Sequence, residues 1–135
     1  MISEPAITIQ GNLAADPELR YTASGAACAS FTVAANPRVR DAEGNWGDGT
    51  PVFLRCTAWR ELAEHVAASL RRGDPVLVVG RFRQREYQTG AGEKRRADDI
   101  QADTMAVPLD KRDVRLIKVT REAPAAGPPA DEVTT

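Results

Sequence analysis

Only one stretch of this chain, Glu61 to Leu70, spaces its apolar residues as a helix does. Leu62, Val66 and Leu70 recur every four residues, with Ala63 and Ala67 beside them. Glu61 and Glu64 lie early and Arg71 and Arg72 late, matching the helix dipole, and Gly73 supplies the stop. The other regular segments are strand-like and are separated by turn residues. A parallel sheet needs a helix after nearly every strand. One helix therefore restricts this chain to an all-β fold built on antiparallel pairs.

The strands are read in order. Ala6 to Leu13 is the first, ended at Asp16-Pro17, and Glu18 to Thr22 is a short extension before Ser24-Gly25. Ala27 to Ala35 puts Ala29, Phe31 and Val33 on one face and closes at Pro37. Asp41 to Thr50 is rich in turn residues and is expected to be a long, mobile polar loop. Val52 to Trp59 is the third strand. Pro75 to Tyr87 is the fourth, with Val76-Leu77-Val78-Val79 expected to be buried on both faces. Thr89 to Gly92 is a hairpin tip, and Lys94 to Ala106 returns as the fifth strand. Asp113 to Thr120 is a further strand candidate. Five strands with one helix between the third and fourth is the element order of the OB-fold, a five-stranded Greek-key barrel. From Glu122 the composition becomes Pro, Ala, Gly and acid, which builds no core. The expected organisation is a domain over 1–121 and a short disordered tail over 122–135.

The chemistry lies in the parity of two strands. In Val52–Trp59 the even positions are Val52, Leu54, Cys56 and Ala58, an ordinary core face. The odd ones are Phe53, Arg55, Thr57 and Trp59. In the fourth strand Phe82, Gln84 and Glu86 point one way, and Arg81, Arg83, Arg85 and Tyr87 the other. Flat rings interleaved with guanidinium groups suit a single nucleic-acid strand, since bases stack on rings while phosphates pair with cations. Phe53, Trp59 and Tyr87 are the stacking candidates, and Arg55, Arg81, Arg83 and Arg85 the phosphate contacts. Arg20, Arg72, Lys94, Arg95 and Arg96 are weaker phosphate candidates, with an ordinary solvated surface as the alternative. The rings, for their part, could instead pack at a subunit interface or beneath the helix.

Net charge does not oppose this reading. The formal total is −1, but from Arg55 to Arg96 ten basic residues face five acidic ones. Local potential steers a polyanion, not the sum. The two cysteines, Cys28 and Cys56, make no disulfide framework and read as small buried fillers. The lone His65 lacks an acid–base partner in the sequence around it and reads as structural. No run is apolar enough to span a membrane, so a soluble protein in a reducing compartment is expected. Nothing calls for a cofactor or a metal. Asp98, Asp99 and Asp103 could be imagined as a nuclease's metal-binding set, but adjacent Asp98 and Asp99 must face opposite ways.

These residues resemble a family. Gly11-Asn12-Leu13, Asp16-Pro17-Glu18-Leu19-Arg20-Tyr21 and Ser24-Gly25-Ala26 are similar to the opening of bacterial single-stranded DNA-binding proteins. Arg55 to Glu64 resembles their third strand and helix. Leu70-Arg71-Arg72-Gly73, followed by Val76, Val78, Gly80, Arg81, Arg83 and Arg85, continues the likeness, which covers about residues 5 to 106. It implies an OB-fold subunit, a homotetramer, and single-stranded DNA wrapped over the surface in the bacterial cytoplasm at the nucleoid. By position Phe53, Trp59 and Tyr87 fall on three of the family's stacking sites. The fourth falls on Val39, where the ring is missing; Trp46, in the same loop, is the substitute candidate. Asp113 to Thr120 resembles the extra strand with which the actinobacterial branch clamps neighbouring subunits. An edge strand within one subunit is the alternative. The tail departs from the family pattern, ending Asp131-Glu132-Val133-Thr134-Thr135 rather than in an acidic tip closed by Pro-Phe. Recruitment of repair and replication enzymes is therefore not implied; a short-tailed paralogue or a truncated sequence would both end so. The rival to general single-strand binding is an OB-fold accessory module of the primosome type, with weak DNA binding and a protein partner. Catalysis is not expected.

Overall fold

The computed structural model describes residues 4–119. Eight strands and one helix follow one another in this span: β1 (Ala6–Leu13), β2 (Glu18–Tyr21), β3 (Ala27–Ala35), β4 (Arg38–Arg40), β5 (Trp46–Asp48), β6 (Val52–Trp59), α1 (Arg60–Ser69), β7 (Pro75–Gln88) and β8 (Lys94–Ala106). Five of them close a ring. β1 pairs with β7, β7 with β8, β8 with β6, β6 with β3, and β3 returns to β1 at Asn12↔Ala34 and Leu13↔Val33. The β6–β8 pairing is parallel, Cys56↔Ile100 and Thr57↔Gln101, and the other pairings in the ring are antiparallel. This is the OB-fold barrel that the element order predicts, with β2 laid along the outer side of β3.

Alternation builds the core. In β3, Ala27, Ala29, Phe31 and Val33 are buried, and in β6 Cys56 and Ala58 are. Val76 and Val78 of β7 and Ile100 of β8 complete the interior, and α1 adds Ala63 and Val66. Each fully buried valine or isoleucine among them contributes roughly 1.5–3 kcal/mol. Two glycines sit where the wall is too tight for a side chain. A Cβ on Gly11 would lie 2.3 Å from the Ala34 carbonyl oxygen, and one on Gly80 would lie 2.1 Å from that of Gln101. Gly80 also marks the register shift between β7 and β8, where the ladder steps from Val79↔Thr104 to Gly80↔Ala102.

The structure corrects the sequence reading in four places. The segment expected to be a mobile loop is a two-stranded arm, β4 paired with β5. Its turn is pinned by Asp41, whose Oδ1 accepts from the backbone N–H of Glu43 at 2.9 Å and of Asn45 at 2.8 Å, with Gly44 at φ 86°. Val79, expected to be buried, is 36% exposed, because a barrel wall has only one inner face. The helix begins one residue early, at Arg60, and ends at Ser69, with Arg71 Nη1 donating to the Ala67 and Leu70 carbonyls at 2.7 and 2.8 Å. Finally, 113–119 forms no strand, only an isolated bridge at Leu116. A strand needs a partner's backbone groups, and the ring is already closed without it. Over these residues the edge-strand alternative is reduced to that one bridge. Residue 120 and the tail expected over 122–135 lie outside the described residues.

Candidate nucleic-acid interface

One face of the barrel is open and polar. β6 supplies Arg55, Thr57 and Trp59 from its odd positions, as the parity predicted. Residues directly opposed on neighbouring strands share a face. The ladder therefore carries this face onto β3 as Cys28 (opposite Trp59), Ser30 (opposite Thr57) and Thr32 (opposite Arg55). Arg20 on β2 stands opposite Cys28 and extends the Trp59 row by one strand. Across the barrel, β7 contributes Arg83, Arg85 and Tyr87, and β8 contributes Ala97, Asp99 and Gln101. Between these walls runs a groove of about 810 Å³.

The three predicted rings are solvent-facing. Phe53 is 63% exposed, Tyr87 47% and Trp59 38%. Trp59 and Tyr87 both line the groove, while Phe53 lies farther along the same face of β6, opposite Ala34. Directly after Trp59, Arg60 adopts a left-handed backbone, φ 60°. That conformation costs a non-glycine residue about 1–2 kcal/mol. It turns the chain sharply from β6 into α1 right at the indole.

The predicted cations divide into two groups. Among the described residues Arg55 and Arg85 have no carboxylate partner, and both line the groove. Arg81 and Arg83 are already engaged. Arg81 bonds Asp103 at 3.0 Å and Glu4 at 3.1 Å, and Arg83 Nε lies 2.9 Å from the other Glu4 oxygen. The hydrogen bond and charge of Asp103, with Glu4 adding to them, hold Arg81 more firmly protonated than usual. Arg95 stands beside Tyr87 but pairs with Glu93 at 3.2 Å, and Arg20 pairs with Glu18 at 2.9 Å. Lys94 shares the opposite face of the ribbon with Gln88, away from Tyr87, and Arg96 does so with Glu86. Arg72 belongs to the turn after α1, where its backbone N–H donates to Asp16 at 2.8 Å, and it does not line the groove. Period-two parity, applied strictly, would have set Lys94 and Arg96 aside.

Trp46 occupies β5 of the arm and is 60% exposed, with the Arg40 guanidinium over its ring at 5.6 Å from the centroid. Val39 points to the other face of that arm, so the indole does not replace a ring at position 39. It offers a separate surface.

The sequence reading missed the floor of the groove. Cys28, taken for a buried filler, is only half-buried and lines it, whereas Cys56 is fully buried as expected. Burial, and then the charge of Asp99, push the Cys56 thiol up to about 12. Thr57 donates to Asp99 at 3.1 Å, and Ser30 and Gln101 lie beside them. The signal was available: Cys28 and Ser30 alternate against buried Ala27, Ala29 and Phe31. The three aspartates imagined as a metal set have separate partners. Asp98 accepts from Gln84 at 2.9 Å, Asp99 from Thr57, and Asp103 pairs with Arg81.

Comparisons with known proteins point to one family. The model of the single-strand binding protein family matches residues 5–108. A Mycobacterium tuberculosis protein named single-stranded DNA-binding protein is 49% identical over 122 residues, 90% of this chain and 74% of that one. Single-stranded DNA-binding protein 2 of Streptomyces coelicolor is 45% identical over 121 residues, 89% of this chain and 61% of that one. The crystal structure of a small single-stranded DNA-binding protein from Streptomyces coelicolor matches with a TM-score of 0.67 at 35% identity, covering 80% of this chain and 97% of that one.

Proposed function

The chain belongs to the single-strand binding protein family, and from that premise we propose that it covers single-stranded DNA without requiring a sequence. The observation that carries this reading is the shared face of β6 and β7. It sets exposed Trp59 and Tyr87 around one groove with the guanidinium groups of Arg55 and Arg85, which have no carboxylate partner among the described residues. Each stacked base contributes roughly 1–3 kcal/mol, and every base has a flat face to stack. Phe53 extends the stacking track, and the Arg40-capped Trp46 offers a further ring on the arm. Arg83 and Arg81 join the phosphate contacts when a backbone phosphate displaces Glu4. Arg20 and Arg95 flank the groove in the same role. Duplex DNA binds poorly in this reading, because its bases are already stacked on one another.

The finer reading follows the family. The protein assembles as a homotetramer and protects single strands exposed during replication, recombination and repair, in the bacterial cytoplasm at the nucleoid. Two features support self-assembly. Only Asn12 and Leu13 of β1 pair with β3, so over Ala6 to Gly11 one edge of the strand has no paired strand among the described residues. The extended segment 113–119 exposes Leu116, Ile117 and Val119. Among the described residues no helix is long and apolar enough to cross a membrane.

The test is quenching of tryptophan fluorescence by poly(dT) at low and high salt, with duplex DNA as control and Trp46→Phe to isolate Trp59. Strong quenching by poly(dT) alone, weakened by salt, is expected. No quenching and no binding at low salt would hand the exposed rings to a protein partner, as in an accessory module.

A further inference from the structure

We propose that Arg60 is a phosphate contact at the helix side of Trp59, and that the fold holds it there at a cost to its own stability. This deepens the single-strand reading and rests on it. Strand parity says nothing of Arg60, because β6 ends at Trp59 and α1 begins with Arg60 itself. Two features of that position oppose an arginine. Its backbone is left-handed, φ 60°, and among the described residues it is the one residue other than glycine with a positive φ. A Cβ crowds the following carbonyl in that conformation, a strain that glycine avoids. The first turn of a helix is also its positive end, where a cation is repelled. The far end of α1 shows the favourable arrangement, with Arg71 Nη1 donating to the Ala67 and Leu70 carbonyls.

The side chain returns little to the fold for these costs. Arg60 is exposed, and among the described residues it forms no ion pair. Local strain of this kind concentrates at functional sites. Trp59 lines the groove, and Arg60 follows it directly at the rim. A base stacked on the indole brings its own phosphate close to the start of α1. A phosphate there attracts both the guanidinium and the positive helix end, which repel one another without it. Arg55 lies on the same strand before Trp59, so the indole stands between a cation on the strand side and one on the helix side.

The experiment titrates poly(dT) across a salt series with wild type, Arg60→Gly and Arg60→Lys, and records the thermal melt of each. Glycine relieves the left-handed strain and removes the charge, whereas lysine keeps both. Arg60→Gly is expected to melt no lower than wild type. It should nevertheless bind about tenfold more weakly at low salt, the effect of one hydrogen bond to a charged group. Its slope of log affinity against log salt should be shallower by about 0.7. Arg60→Lys is expected to keep the wild-type slope. An Arg60→Gly protein with wild-type affinity and slope overturns the proposal. So does one that binds more weakly at an unchanged slope, because the turn would then only orient the indole. Failure of wild type to bind poly(dT) overturns the single-strand reading, and this contact with it.

Discussion

Cys28 lies directly opposite Trp59 across the β3–β6 ladder, on the face that lines the groove. That makes a thiol the immediate neighbour of the ring expected to carry a base. The other cysteine is fully buried. Alkylation with a maleimide should therefore label Cys28 alone, slowly, because partial burial first and the charge of Asp99 after it raise the Cys28 thiol above its ordinary value. Saturating poly(dT) should slow that labelling severalfold, and duplex DNA should leave it unchanged. Labelling unaffected by poly(dT) would move the DNA path off the Trp59 row. Mass spectrometry of the labelled peptide reads the outcome.

Phe53 and Trp59 share a face but not an environment. Phe53 is 63% exposed, so Phe53→Ala removes a ring that supports little of the fold. Its binding should weaken by about 1–3 kcal/mol, with stability shifted by no more than about 0.5 kcal/mol, as for ordinary surface changes. Trp59 is only 38% exposed and stands at the N-cap of α1. Trp59→Ala should weaken binding similarly and also lower the melting temperature. Parallel titrations and thermal melts check both. Unchanged affinity in the two variants would make the rings structural.

What the sequence showed and what it hid have a common physical cause. Alternation is local, so Val52–Trp59 announced its two faces, and the helix announced itself by its spacing. Contacts between distant segments leave no such trace. Glu4 and Arg81 are seventy-seven residues apart, and only β1–β7 pairing brings the carboxylate to the arginine. The same holds for Asp99, whose neighbour Thr57 comes from another strand. The arm was hidden differently. Its residues are turn-formers, and the Asp41 side chain uses them to build a hairpin rather than a loose loop. Val79 was misread because four apolar residues in a row look the same whether a wall is buried on one side or two.

The Glu4 clamp gives a prediction of opposite sign to most site mutations. Its carboxylate occupies Arg81 and Arg83 as a phosphate would. Glu4→Gln removes that competitor and leaves Asp103 on Arg81. Affinity for poly(dT) at low salt should rise. The slope of log affinity against log salt should steepen by about 0.7 for each additional phosphate that these arginines neutralise. Titrations across a salt series give both quantities. An unchanged slope with unchanged affinity would mean that phosphates never reach these two arginines.

The buried thiol of Cys56 ties stability to pH. Desolvation first, and the charge of Asp99 second, raise its pKa from 9.0 to about 12 in the folded state. In the unfolded chain it titrates near its ordinary value. Below that value both states keep the proton and the full stability is present. Above it the unfolded chain releases the proton while the folded one retains it, so unfolding becomes easier as pH rises toward the folded value. The limiting slope for one such group is about 1.4 kcal/mol per pH unit. Alkaline pH acts on the rest of the protein too, so the decisive comparison is with Cys56→Ala. Alanine at this position leaves a small cavity and a constant offset but no titrating group. Urea midpoints measured from neutral pH to about one unit above the unfolded thiol's value should fall more steeply for wild type than for Cys56→Ala, bringing the two curves together. Parallel curves would mean that the folded barrel lets the thiolate form, and water would then have to reach the centre of β6.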